Sequence, residues 1–295
     1  MITPSNDRLR DLGREFPEWR PWLTIVEEVL REATDSKWEA FVPQSLSLSE
    51  SKAPLLTGAK PVLEIAAVAD WSERLLQTAC RSGAPKMSTL DGATPARLNS
   101  AELFKLSLCQ NGKRINETAV FLGVDPDAFQ AVAALVPVPF LQASNRRWQQ
   151  SISERWAEGY CPVCGAWPAF AEVRGIERSR YLRCGRCGAG WQSQCLSCPY
   201  CGMTDHEQLV SLVPEKSGTN GVIDACKRCL GYIKTFTTLQ GSAPDKVMLD
   251  DLASVALDIA SLEQGYRRPE GAGYSLDIEI LDKPSSSETV LSWRT

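Results

Sequence analysis

At 295 residues the chain has room for about two domains and a sizeable core, and a net charge of −4 with an isoelectric point near 5.3 gives no general nucleic-acid signature. Its single histidine, His206, leaves it poorly equipped for an open catalytic zinc site or for general acid–base catalysis, both of which lean on histidine. No run reaches the about 18 apolar residues of a membrane span, and the first residues lack the apolar core of a secretory signal, so a cytoplasmic protein without membrane insertion is expected.

Residues 1–17 are polar and broken by Pro4, Gly13 and Pro17, which predicts a loose arm or a short helical piece. After Pro21, the residues Trp22, Val26, Val29, Leu30 and Ala33 recur at helical spacing and predict a helix over about 19–35. A connection with Pro43, serines at 45–49 and Pro54 follows. Pro61 opens the longest pattern, with Leu63, Ala67, Trp71, Leu75 and Ala79 on one face and Gly83 and Pro85 as the stop. Further helices are expected at 95–110, 116–122, 125–135 and 139–157, the last with Leu141, Trp148, Ile152 and Trp156 turned inward. Residues 1–157 therefore read as all-helical, with the tryptophans as core and Cys80 and Cys109 as small buried hydrophobes.

The pattern then changes. Nine of eleven cysteines fall between 161 and 229, and eight form four Cys-x-x-Cys pairs: Cys161/Cys164, Cys184/Cys187, Cys198/Cys201 and Cys226/Cys229. Two thiolates three positions apart can grip one ion, and a glycine after the second lets the backbone turn with positive φ and aim amides at sulfur. Nineteen residues separate the first two pairs, which fits the spacing of a four-cysteine metal ribbon, and the twenty-four between the last two are slightly longer. Pairing first with second and third with fourth is simplest, because C-P-x-C-G opens each half, and it makes the segment an internal duplication. Two tetrahedral four-sulfur sites follow, for two zinc or two iron ions. Disulfides would need an oxidising compartment, and a thioredoxin-like motif needs one such pair in a βαβ setting, so both readings fit less well. Short strands are predicted at 169–173, 179–183, 208–213 and 231–239, in units whose missing core the metal replaces. Beyond Pro244, Leu249, Leu252, Ala256, Ile259 and Leu262 predict a helix over 246–264, and 267–295 reads as a mobile tail with one strand at 275–281.

These residues resemble the formate dehydrogenase accessory proteins of the FdhE type. The resemblance rests on Tyr160-Cys-Pro-Val-Cys-Gly165, on Arg180-Tyr-Leu-Arg-Cys-x-x-Cys187 followed by Trp191, and on the two later cysteine pairs. It continues through Asp250-Asp-Leu-Ala-Ser254 and Glu263-Gln-Gly-Tyr266, covering about 160–266. It implies an α+β, multi-domain chain. An all-helical domain at 1–157 would precede two tandem rubredoxin-like, zinc-ribbon folds at 158–193 and 194–242 and a helix at 243–266, while the tail at 267–295 leaves the family pattern. It also implies two metal ions, iron by preference and zinc as the alternative, held by Cys161, Cys164, Cys184, Cys187, Cys198, Cys201, Cys226 and Cys229. No catalytic residue and no organic cofactor come with it. The implied partner is the catalytic subunit of a formate dehydrogenase, bound in the cytoplasm before export, and a homodimer stays open. Cys195 departs from the pattern: it makes an overlapping pair with Cys198 and reads as a spectator thiol.

Two further functions compete with a non-enzymatic accessory role. Arg174, Arg178, Arg180, Arg183 and Arg186 could form a basic stripe for nucleic acid, although Glu172 and Glu177 dilute it and a solvated strand face is the more common explanation. A four-thiolate iron could instead pass electrons. Tyr160, Tyr181 and Trp191, matched outside the ligand positions, are expected either to anchor a partner or to pack beneath their own knuckles.

Overall fold

Local chemistry sets the helix starts in the first half of the chain, seen here in a computed structural model that describes residues 4–44, 52–94, 96–213 and 221–283. Helices α1 (Pro4–Glu15), α2 (Arg20–Glu32) and α3 (Lys37–Phe41) precede a two-residue strand β1 (Val62–Leu63) and the long α4 (Ile65–Arg81). Then come α5 (Ser100–Leu108), α6 (Gly112–Leu122), α7 (Pro126–Ala133) and α8 (Val138–Trp148). Asn99, Asn111 and Asp125 cap α5, α6 and α7 by accepting amide hydrogens of their first turns. Trp38, Trp71, Phe104, Phe129 and Phe140 are fully buried at the centre. Each central indole finds an acceptor, Trp71 at the Val136 carbonyl (2.8 Å) and Trp38 at Glu32 (2.9 Å).

The sequence pattern predicts most of this, with instructive differences. Residues 4–15 form a full helix instead of a loose arm, because Leu9 and Leu12 bury against Leu23, Val26 and Leu249. The connection after α2 holds α3, whose Trp38 and Phe41 go into the core. The helix expected over 139–157 stops at Trp148, and Trp156 reaches the core from irregular chain. The serines at 45–49 lie outside the described residues.

Six strands follow: β2 (Phe170–Arg174), β3 (Ser179–Arg183), β4 (Gly190–Ser193), β5 (Leu209–Leu212), β6 (Gly221–Cys226) and β7 (Tyr232–Thr238). They make one sheet in the order β4-β3-β2-β7-β6-β5. Each cysteine-rich half contributes an antiparallel meander of three, and the halves join by parallel pairing of β2 with β7, Phe170 opposite Lys234. The strands β4 and β6 are absent from the sequence reading; β4 is only four residues long and opens on glycine, and β6 opens on glycine and runs into a cysteine ligand position, so neither shows a clean alternation.

The terminal helix expected over 246–264 is two helices, α9 (Val247–Ala253) and α10 (Val255–Glu263). Ser254 breaks it by turning its hydroxyl onto the carbonyls of Asp250 and Asp251. The expected mobile tail is, through residue 283, a strap. Its amides at Glu279, Leu281 and Lys283 donate to Ala59, Pro61 and Leu63, Leu276 and Ile278 are buried, and β8 (Leu281–Asp282) pairs in parallel with β1. The strand expected over 275–281 is thus mostly irregular extended chain, since alternate backbone groups pair with a loop rather than a ladder. Residues 284–295 lie outside the described residues.

Candidate metal centres

All four knuckles have one backbone design. The amides of Cys161, Cys184, Cys198 and Cys226 donate to the carbonyls of Ala166, Ala189, Met203 and Gly231, and the carbonyls of the same cysteines accept from Gly165, Gly188, Gly202 and Leu230. That second bond requires a left-handed residue after the second cysteine. Gly165, Gly188 and Gly202 supply it at φ of 71°, 77° and 68°, and in the fourth knuckle Leu230 takes it at 56°. Amides of Val163, Cys187 and Gly231 then point at sulfur at 3.4–3.5 Å.

The knuckles meet in the sequential pairing. Sulfurs of Cys161, Cys164, Cys184 and Cys187 lie within 4.8 Å of one another, and so do those of Cys198, Cys201, Cys226 and Cys229. The Cys161–Cys187 and Cys164–Cys184 separations are both 3.5 Å; Cys198–Cys229 and Cys201–Cys226 are 3.6 and 3.8 Å. A tetrahedral ion with bonds of about 2.3 Å to sulfur sets its ligands about 3.8 Å apart, so both groups fit one ion each. Four thiolates around such an ion leave no position for water.

The two groups differ in environment. The first is fully buried and belongs to the core that runs through the helices. Its knuckles are tied down by Leu55 and Leu56 amides on Pro162 and Val163 carbonyls, by the Tyr274 amide on Gly165, and by Arg186 on the carbonyls of Ser107 and Leu108. In the second group Cys201 and Cys229 are half-buried. Its sheet is held to α9 and α10 by fully buried Lys234, whose ammonium meets Asp251 and Asp258 at 2.8 and 2.7 Å, with Arg268 closing onto both carboxylates. In the first group burial pushes the Cys161 and Cys187 thiols up, while hydrogen bonds from Cys161, Cys164 and Cys187 pull Cys184 down. Metal entry must therefore displace protons.

Residues 194–274 match the family model for the C-terminal domain of FdhE. A protein named as an FdhE homolog in Aquifex aeolicus is 26% identical over 277 residues, 90% of this chain and 92% of that one. The FdhE homolog of Pseudomonas aeruginosa is 30% identical over 206 residues, 64% of this chain and 66% of that one. The chain belongs to the FdhE family. The crystal structure of the FdhE protein from Pseudomonas aeruginosa shares the fold, with a TM-score of 0.54 over 91% of this chain and 93% of that one at 21% identity.

Other residues singled out in the sequence end up elsewhere. Cys195 is exposed, with its sulfur near the Arg178 carbonyl, and stands outside the second group. Cys80 and Cys109 are half-buried rather than fully buried. His206 lies exposed beside Asp205. The arginine run is no continuous surface stripe: Arg180 and Arg183 are buried, Arg183 and Arg174 clamp buried Glu172, and Arg186 holds α5. Of the two expectations for Trp191, packing inward holds: it is 2% exposed and donates to the Glu158 carbonyl. The Tyr160 hydroxyl reaches the Lys52 carbonyl, and Tyr181 carries the Arg174 guanidinium on its ring. Sequence reasoning missed Lys234 and Arg268; the signal available was the Asp250-Asp251 match, since Asp251 is one of their partners.

Proposed function

We propose that this FdhE-family chain is an accessory factor for formate dehydrogenase. It would bind the catalytic subunit in the cytoplasm before export and turn over no small substrate. The units at 158–193 and 194–242 would each hold one ion, iron by preference, in Cys161, Cys164, Cys184 and Cys187 and in Cys198, Cys201, Cys226 and Cys229. The observation that carries this reading is the pair of closed four-sulfur groups in a chain of this family: such groups organise a fold and leave no open coordination position for hydrolysis. Among the described residues no helix is long and apolar enough to cross a membrane, which is compatible with a client met before export. Burial of Arg180 and Arg183 weakens the support for the nucleic-acid alternative.

A deletion strain should lack formate dehydrogenase activity while still making the catalytic polypeptide, and the purified chain should capture that polypeptide. Complementation should fail with Cys161→Ser. Normal activity in the deletion strain, with no captured subunit, would overturn the proposal. The partial exposure of Cys201 and Cys229 favours one second reading, electron exchange at the second group. A reversible one-electron wave from the iron-loaded chain, lost in Cys226→Ser and kept in Cys161→Ser, would support it.

A further inference from the structure

A cleft of about 610 Å³ opens where the helical half, the first pair of knuckles and α9–α10 meet. That volume lies in the range of about 300–1,000 Å³ typical of small-molecule sites. Half-buried Trp22, Trp167 and Tyr200, with Met248, form apolar wall. One part of the lining holds two buried polar groups that have no partner among the described residues.

That part is built at the junction of α5 and α6. Ser107 is 1% exposed, and its hydroxyl has no partner among the described residues; neither has the buried amide nitrogen of Gln110. Gln110 is also left-handed, at φ 55°, a conformation costly for a residue with a side chain. Two residues on, Gly112 begins α6, and the Gln130 amide nitrogen lies 3.5 Å from where a Cβ on Gly112 would stand. The eleven-residue α6 thus turns its positive end toward the cleft. Arg186 completes the cluster. Its guanidinium donates to the Ser107 and Leu108 carbonyls at 2.7 and 3.3 Å, and no carboxylate of the described residues pairs with it. The two carboxylates that line the cleft, Asp251 and Asp258, are already matched by Lys234 and Arg268. The unbalanced charge is positive.

We propose that this cluster binds the anionic group, carboxylate or phosphate, of a small aromatic organic ligand whose body lies along the apolar wall. Arg186, Gln110 and Gln130 would donate to the anion at the start of α6, and the Ser107 hydroxyl would gain its missing partner. Arg186 stands within the Cys184–Cys187 knuckle, but no cysteine lines the cleft, and the proposal does not depend on the formate dehydrogenase reading.

Calorimetric titration of the metal-loaded full chain tests it, with AMP and indole-3-acetate as probes and with adenosine and tryptophol as their uncharged counterparts. Saturable binding of AMP or of indole-3-acetate is expected, about tenfold tighter than its uncharged counterpart. Binding of AMP alone would identify a phosphate site, and of indole-3-acetate alone a carboxylate site. Arg186→Gln should weaken binding, but it also releases α5 and could disturb folding. Gln110→Gly avoids that difficulty: it removes backbone strain, so thermal stability should hold or rise, while binding weakens by about tenfold. No saturable binding of either anion up to millimolar concentration, equal binding of charged and uncharged probes, or unchanged binding in Gln110→Gly would overturn the proposal.

Discussion

Leu230 is where the fourth knuckle departs from the other three. Holding a leucine left-handed costs about 1–2 kcal/mol, against about 0.5–1 kcal/mol for the extra freedom a glycine has when unfolded. Its side chain is 43% exposed and the Arg267 amide meets only its carbonyl, so little packing is lost on truncation. Leu230→Gly should therefore stabilise the metal-loaded chain by about 0.5–1 kcal/mol in denaturant unfolding. A loss of stability would mean that the leucine side chain matters more than its backbone. Trp191→Ala has the opposite character. It removes a large buried side chain and should cost about 3 kcal/mol or more through the cavity it leaves, whether or not a partner is present.

Two elements hold the metal-bearing sheet to the rest of the chain, and each can be tested alone. The strap from Tyr274 to Lys283 buries Ile278, so Ile278→Ala should cost about 2–3 kcal/mol, an effect that a mobile tail could not produce. The helix α10 is held electrostatically. Burial alone would raise the Asp258 carboxyl, but Arg268, Lys234 and the Tyr232 hydroxyl outweigh it and keep it below the ordinary carboxylate range. A carboxyl depressed by folding contributes stability above its unfolded pKa of about 4, and that contribution is lost as pH falls through the lower folded value. Protection factors of α10 amides, which remove the intrinsic pH dependence of exchange, should accordingly fall below about pH 4, and Asp258→Asn should flatten that dependence.

At the scale of the whole molecule the two sulfur groups are unequal. One is part of the main core; the other has two half-buried cysteines and only a small cluster of Ile223, Ala225, Tyr232 and Leu257 beside it. A chelator should release two metals in two phases, the second group first. Cys226→Ser should leave about one metal and only the slow phase, and Cys161→Ser about one metal and only the fast phase, because each ion and its unit fold together. Cys195→Ser should keep both. A single phase in the wild-type chain would show that the two environments are equivalent. Release should also quicken on acidification, as protons compete for the buried sulfurs.

The helical half, the grouping of the cysteine knuckles and the internal duplication are legible in the sequence. Those signals are local: helical spacing of apolar residues, and pairs of thiols three positions apart followed by a residue that can turn. Tertiary structure decided the rest. The parallel pairing of β2 with β7 makes one sheet of two units, and it joins residues more than sixty positions apart without any pattern in either strand. The strap becomes ordered because residues 55–63 offer it free carbonyls, which no composition of the strap itself reveals. Arg180, Arg183, Trp191 and Lys234 are buried through partners distant in sequence, so charge and aromatic spacing alone do not decide their exposure. A residue's neighbours along the chain fix its backbone; its exposure is fixed by what folds over it.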